Sequence, residues 1–284
     1  MEVLRYVAFT EQPAGGNPAG VVLDATGADP DAMQQVAAEV GYSETAFLFP
    51  AGAEFVVRYF SPLAEVPFCG HATIAAAVAR AEIAGPGAMT LHTRAGRVEV
   101  TTTGSSAGRL RATLPSVQPE LEELDDAGLA AVLAALRWDI ADLDPALPPR
   151  VAYAGAWHPV IAVRERSRLA DLRYDFDALG SLMAARGWTT VDLVWRAGDS
   201  VFYCRNPFPP GGVVEDPATG AAAAAFGGYL RALALVPVPA EITVLQGQDL
   251  GRPSRLQVHI PAEPGTGIAV SGHAVRLGAL PAHG

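Results

Sequence analysis

The chain contains no lysine; all twenty of its basic residues are arginine. That excludes a lysine Schiff base, and with it ordinary PLP chemistry and lysine-dependent aldol chemistry. It also excludes a P-loop, whose lysine reaches the nucleotide phosphates. Cysteine is nearly as scarce. Cys69 and Cys204 are too few for a disulfide framework or a four-cysteine zinc site. No apolar run reaches the roughly twenty residues of a membrane span; AAAAAFGGYLRALALV comes nearest but carries glycines and an arginine. The first residues show no basic start followed by a long apolar stretch, so a cytoplasmic, reducing setting is expected. Positive charge is in deficit, with twenty basic against thirty acidic side chains and a net charge of −10. Nucleic acid and membrane surfaces are therefore not expected as partners, because phosphate binding needs clustered positive charge. The six histidines are scattered without HxxxH or HExxH spacing, so no metal is expected. GSSAG at 104–108 spells GxSxG but no helix-like pattern follows it, so no nucleophile elbow of a serine hydrolase is read, and GxGxxG, the usual motif for NAD binding, is missing. No cofactor is expected.

Half of the 284 residues are hydrophobic and 18% are charged, the composition of a well-buried globular protein with one large or two medium domains. Strand-like and helix-like patterns alternate. Val3 to Phe9, Gly20 to Asp24, ETAFLFP and EFVVRYF read as strands rich in Val, Phe and Tyr. PDAMQQVAAEV reads as a helix that starts after Asp29 and stops at Gly41. CGHATIAAAVARAEIAG predicts a helix of small residues, and MTLHTRAGRVEVTTT a hairpin around Ala95-Gly96. The second half adds helices in DDAGLAAVLAALRW and DFDALGSLMAARG, strands in VIAVRE, TTVDLVWRAG and SVFYCRN, and a second small-residue helix in EDPATGAAAAAFGGYLRAL. The lobes are expected at 1–114 and 115–284, with the last strand free to return to the first lobe.

A faint internal repeat organises this pattern. EVPFCGHATIAAAVARA lies on VVEDPATGAAAAAFGGYL, each after a strand ending in an aromatic residue and proline. Upstream, Asn17-Pro18 corresponds to His158-Pro159. The implied fold is α+β, with two pseudo-symmetric lobes.

Each small-residue helix would open from a glycine-containing loop, at Gly70 and Gly220. A helix start presents unpaired N–H groups and partial positive charge, and glycine lets a ligand approach the backbone. Tight helix–sheet packing explains the small residues equally well. Polar groups gather at these loops: Glu44 in YSETAF, His71 in CGHAT and Asp216 in EDPATG. Two carboxylates and an imidazole are common parts of proton-transfer chemistry. The competing readings are a turn or N-cap carboxylate for Glu44 and a helix-start imidazole for His71. For Asp216 the rival is an ordinary N-cap with Pro217 at the first helical position. Cys69 at a helix start suits a thiolate base or a buried small residue. Cys204, in a strand without a matching loop, reads as core.

Taken in order, AFTEQPAGGNPAGVVLD, YSETAF, RYFSPLAEVPFCGHATIAAA, EDPATGAAAAAFGGYL and QGQDLGRPSRL make the chain resemble the PhzF-like phenazine-biosynthesis family over about residues 6 to 260. The resemblance implies a diaminopimelate epimerase-like fold, with a β-barrel-like sheet around a central helix in each lobe and the active site between them. It implies an isomerase without cofactor or metal, acting on a small carboxylate such as trans-2,3-dihydro-3-hydroxyanthranilate. It assigns the proton shuttle to Glu44 and auxiliary catalytic roles to His71 and Asp216. Substrate binding falls to Gly70, Gly220, Ala221, Cys69 and Thr219. A homodimer is also implied. One departure stands out: the family pattern often reads DPxTGS, and here the serine position is Ala221. A lost hydroxyl changes which substrate a hydrogen-bonding site selects. Two rivals stay open, a racemase that uses Cys69 as a base and a non-catalytic small-molecule-binding protein of the same fold.

Overall fold

The computed structural model describes residues 1–104 and 108–278. The chain divides into two units, Met1–Pro115 with Ser271 onward, and Ser116–Val270. Residues 279–284, the end of the expected second lobe, lie outside the described residues. The first unit runs β1 (Leu4–Ala8), β2 (Asn17–Val22), α1 (Pro30–Val40), β3 (Glu44–Ala51), β4 (Glu54–Phe60), β5 (Glu65–Val66), α2 (Gly70–Ala84), β6 (Ala88–Thr93), β7 (Gly96–Gly104) and β8 (Leu110–Pro115). The second runs β9 (Glu120–Glu123), α3 (Asp126–Leu136), β10 (Arg150–Tyr153), β11 (Trp157–Val163), α4 (Arg166–Ala170), α5 (Phe176–Arg186), β12 (Asp192–Arg196), β13 (Val201–Phe208), β14 (Val213–Asp216), α6 (Gly220–Ala232), β15 (Ala240–Gln246) and β16 (Ser254–Ile260). The final strand, β17 (Ala269–Arg276), belongs mostly to the first unit.

In the first unit β1, β2, β3, β4, β6, β7, β8 and β17 pair in that order, and β17 pairs back to β1, closing an eight-strand barrel. β2–β3 and β4–β6 are parallel, so each needs a crossover. α1 makes the first and α2 the second. α2 is buried on nearly every side, from His71 to Ala79 and at Ala81. A helix apolar all round has to be enclosed, and α2 packs against β1, β2, β3, β7 and β8. An eight-strand barrel leaves little interior space, which is why most of the enclosed positions are alanine. Ile74 and Val78 are the larger buried side chains, each contributing about 1.5–3 kcal/mol by leaving water.

The second unit repeats the pattern. β10, β11, β12, β13, β15 and β16 pair in order as antiparallel, parallel, antiparallel, parallel and antiparallel. β1, β2, β3, β4, β6 and β7 show the same alternation. α6 takes the place of α2 and is buried from Ala222 to Leu230. Its Gly228 is required by close approach, since a Cβ there would lie 2.4 Å from Pro119 Cβ. α3 and α5 bury Leu133, Leu136, Leu179 and Met183 against Val151, Ile161, Val163 and Leu193.

The helix starts differ in a way that matters below. α1, α3 and α5 are each capped by an aspartate, Asp29, Asp125 and Asp175, whose side chain accepts a bond from a first-turn amide. The two central helices, α2 and α6, have no such side-chain cap bond. No helix among the described residues is long and apolar enough to cross a membrane.

Candidate active site

Glu44 is the first residue of β3, opposite Ala19 of β2 in parallel register. Neither the turn nor the N-cap reading applies to it. Its carboxylate approaches the start of α2, where Oε2 lies 3.3 Å from His71 Nε2 and 3.5 Å from Cys69 Sγ, whose thiol donates to it. The Glu44 side chain is 16% exposed and that of His71 8%. Four sequence candidates, Glu44, Cys69, Gly70 and His71, thus meet at one helix start.

Two residues that the sequence reading did not single out for the site complete the cluster. Asn17, buried at the start of β2, places its Nδ2 3.2 Å from His71 Nδ1. With Asn17 against Nδ1, His71 presents Nε2 to Glu44. Ser43 Oγ lies 3.2 Å from the same Nε2. The turn that delivers Asn17 depends on Gly16, where φ is +69° and a Cβ would sit 2.4 Å from Ala8 O. Asn17-Pro18 was visible only as one half of the repeat, because nothing in its local sequence ties it to a histidine 54 positions away.

The floor of the cluster is fixed from below. Thr73 Oγ1 donates to Cys69 O over 2.7 Å, and Tyr59 Oη lies 2.6 Å from Thr73 Oγ1. With the threonine proton committed to the carbonyl, the tyrosine is the donor. Burial pushes the Tyr59 hydroxyl pKa well up, so it remains a neutral donor.

In the second unit Asp216 ends β14, and α6 begins only at Gly220, with Thr219 as N-cap. The reading of Asp216 as N-cap, with Pro217 as first helical residue, is therefore corrected. The reason is local bonding. Thr219 Oγ1 donates to Asp216 Oδ2 over 2.6 Å and accepts from Gln246 Nε2 at 3.0 Å, so its oxygen faces the loop and makes no bond to the helix amides. Buried Gln246 holds the loop: its Oε1 accepts from Thr219 N at 3.0 Å and its Nε2 donates to Asp216 O at 2.7 Å. Gly247 permits this packing, since its φ is +79° and a Cβ would lie 2.8 Å from Pro217 O. Asp216, Thr219, Gly220 and Ala221 are thus neighbours at the start of α6. Gln246 was missed as their anchor, although the QGQDLG motif contains it.

The repeat also places a carboxylate in the second unit at the position of Glu44. Asp192 opens β12 opposite Val160 of β11, two residues after His158, just as Glu44 faces Ala19, two residues after Asn17. Here the surroundings are sealed. Asp192, His158 and Cys204 are buried. Burial pushes the Asp192 pKa up to about 7, against the lowering effect of hydrogen bonds from Asn206 and Cys204. Burial likewise brings His158 down to about 4, with Thr190 opposing. His158 Nδ1 and Thr190 Oγ1 are 2.8 Å apart, and Asn206 Nδ2 donates to both Thr190 Oγ1 and Asp192 Oδ1. Cys204 is therefore not a plain apolar core residue: its thiol bonds to Asp192, and burial pushes its pKa well up.

Donors of three kinds converge in the first unit, where one ligand atom from each of Glu44, Cys69 and His71 lies within 4.8 Å of the others. Histidine spacing along the chain gives no hint of this.

The sequence profile of the family described as "Phenazine biosynthesis-like protein" matches residues 6–279. An uncharacterised isomerase of Escherichia coli (strain K12) is 33% identical, the match covering 97% of this chain and 96% of that protein. The trans-2,3-dihydro-3-hydroxyanthranilate isomerase of Pseudomonas fluorescens is 28% identical, with 95% of each chain covered. The crystal structure of a PhzF-family phenazine biosynthesis protein from Bacillus anthracis superposes with a TM-score of 0.88 at 26% identity, covering 98% of both chains. The chain belongs to the phenazine biosynthesis-like family of isomerases and epimerases.

Proposed function

We propose that this family member is a cofactor-independent isomerase that moves a proton between carbons of a small carboxylate metabolite, with Glu44 as the acid/base. The observation that carries the reading is the pairing of Glu44 with His71 Nε2 and the Cys69 thiol at an uncapped helix start. Glu44 accepts a proton from a substrate C–H, the electron pair passes into the substrate's conjugated system, and the protonated acid returns the proton to a second carbon. First-turn amides of α2 and the α2 dipole favour the anionic charge that develops on the substrate. His71 positions the carboxylate, and Asn17 holds the His71 ring in place from its Nδ1 side.

The isomerase from Pseudomonas fluorescens suggests a cyclic, conjugated amino- or hydroxy-carboxylate as the substrate class. Ala221 in place of the family's usual serine points to a substrate with one fewer polar group at that position. For Asp216, Thr219 and Gly220 the proposal is contact with a polar group of the ligand, supported by the bonding that holds their loop. A second reading has one supporting observation: Cys69 Sγ, 3.4 Å from His71 Nδ1, is placed to act as the base of a racemase.

The test is deuterium incorporation at carbon in heavy water, over a panel of such carboxylates. Glu44→Gln is expected to lower exchange and turnover by about 10²–10⁴-fold. Unchanged turnover in that variant overturns the proposal. Loss in Cys69→Ala combined with retention in Glu44→Gln establishes the racemase reading instead.

A further inference from the structure

We propose that Glu44, Cys69 and His71 form a binding site for one divalent cation of the Zn2+ class, which closes the site to proton transfer. The argument is geometric. A tetrahedral Zn2+ takes thiolate sulfur at about 2.3 Å and imidazole nitrogen or carboxylate oxygen at about 2.0–2.2 Å. Those lengths set ligand-to-ligand edges of about 3.3 Å for N–O and about 3.5 Å for S–O and S–N. The structure has Oε2–Nε2 at 3.3 Å, Sγ–Oε2 at 3.5 Å and Sγ–Nε2 at 3.8 Å. Two edges fit without movement, and the third needs a shift of a few tenths of an ångström.

The ligand chemistry selects the metal. A thiolate with an imidazole and one carboxylate suits Zn2+ and Co2+, whereas Mg2+ and Ca2+ require an all-oxygen shell. A thiolate and a carboxylate carry two negative charges, which balance the ion. On binding, the Cys69 thiol loses its proton to solvent as the metal–sulfur bond forms, and nothing is oxidised or reduced. Metal on His71 Nε2 places the ring proton on Nδ1. Asn17 can meet it by rotating its amide to present oxygen, the second-shell bond that a ligating histidine normally makes. The Thr73 and Tyr59 bonds that hold Cys69 and the first turn of α2 keep the three donors preorganised. Three protein ligands leave the fourth position for water or an anionic ligand.

The site itself rests on these distances alone. Its inhibitory consequence rests in addition on Glu44 being the acid/base, because a carboxylate bound to a dication through Oε2 is a much weaker base and the ion stands between it and the substrate carbon.

Co2+ is the probe for binding. Titrating the metal-stripped full chain is expected to give a near-ultraviolet thiolate-to-Co2+ charge-transfer band that saturates at one equivalent and is displaced by Zn2+ but not by Mg2+. The band should vanish in Cys69→Ser and persist in Cys204→Ala, with folding of both checked by circular dichroism. Absence of the band in the wild type, or its persistence in Cys69→Ser, overturns the site. Turnover with and without Zn2+ is the separate arm. Inhibition reversed by a chelator supports the full proposal, while a saturated band with undiminished turnover keeps the site and overturns Glu44 as acid/base.

Discussion

Asp192→Asn isolates the cost of the sealed carboxylate in the second unit. The ordinary Asp192 pKa of 3.8 becomes about 7 in the folded chain. Between those values the folded state holds a proton that the unfolded state has released, so stability falls as pH rises through the window. At about 1.4 kcal/mol per pH unit, a shift of about three units amounts to about 4 kcal/mol, fully present above pH 7. His158 acts in the opposite sense. Its pKa drops from 6.5 to about 4 on folding, so between those values the unfolded state holds the extra proton and stability rises with pH. That slope totals about 3 kcal/mol. In the wild type the two slopes largely cancel between pH 4 and 6.5. Asparagine removes the first and leaves the second. The variant's stability relative to wild type is therefore expected to grow by about 4 kcal/mol from pH 4 to 7.5 and then level off. Urea unfolding followed by tryptophan fluorescence measures it, since Trp138, Trp157, Trp188 and Trp195 all lie in the second unit. Parallel stability–pH curves for the two proteins would refute the reasoning.

The second unit offers two further tests. Arg205 and Glu215 form a buried two-pronged ion pair, and Arg205 Nη1 also donates to Leu169 O and Ala170 O. Glu215→Gln leaves a buried guanidinium without its counter-charge and is expected to cost about 3–5 kcal/mol, whereas replacing both partners by apolar residues costs much less. Equal losses in urea unfolding for the single and double variants would contradict this. Gly228→Ala drives a methyl into Pro119 and is expected to lower stability by about 1–3 kcal/mol, despite alanine's better helix propensity. A raised Tm would show that α6 has room to move.

The two-lobe α+β plan was legible because both enclosed helices announce themselves. An alanine run opened by CGHAT or DPATG is buried all round, and only a surrounding sheet accommodates it. The repeat was legible at the same loops. Short strands such as β5, β9 and β14 were not, since two to four residues carry no measurable alternation. At the candidate site, Glu44, Cys69 and His71 were readable as residues, but their convergence was not, because a strand start and a helix start 25 positions apart meet only through barrel register. Asn17 and Gln246 escaped for the same reason: each acts through a bond to a distant loop, and a lone amide side chain has no sequence signature. Only the rival reading of Asp216 as an N-cap fails: Asp-Pro normally opens a helix, but here α6 starts at Gly220 and Asp216 accepts from the Thr219 hydroxyl instead.

The return of β17 to lie between β8 and β1 imposes an order on biosynthesis. A ribosome releases residues 116–270 before it releases the stave that closes the first barrel. The second unit thus has its full set of strands while the first still gapes between β1 and β8, with two unpaired edges. The housing around Glu44, Cys69 and His71 is completed last, by residues nearly 200 positions downstream of α2. Chain shortening that removes β17 would leave the second unit's strands whole and the first barrel unsealed.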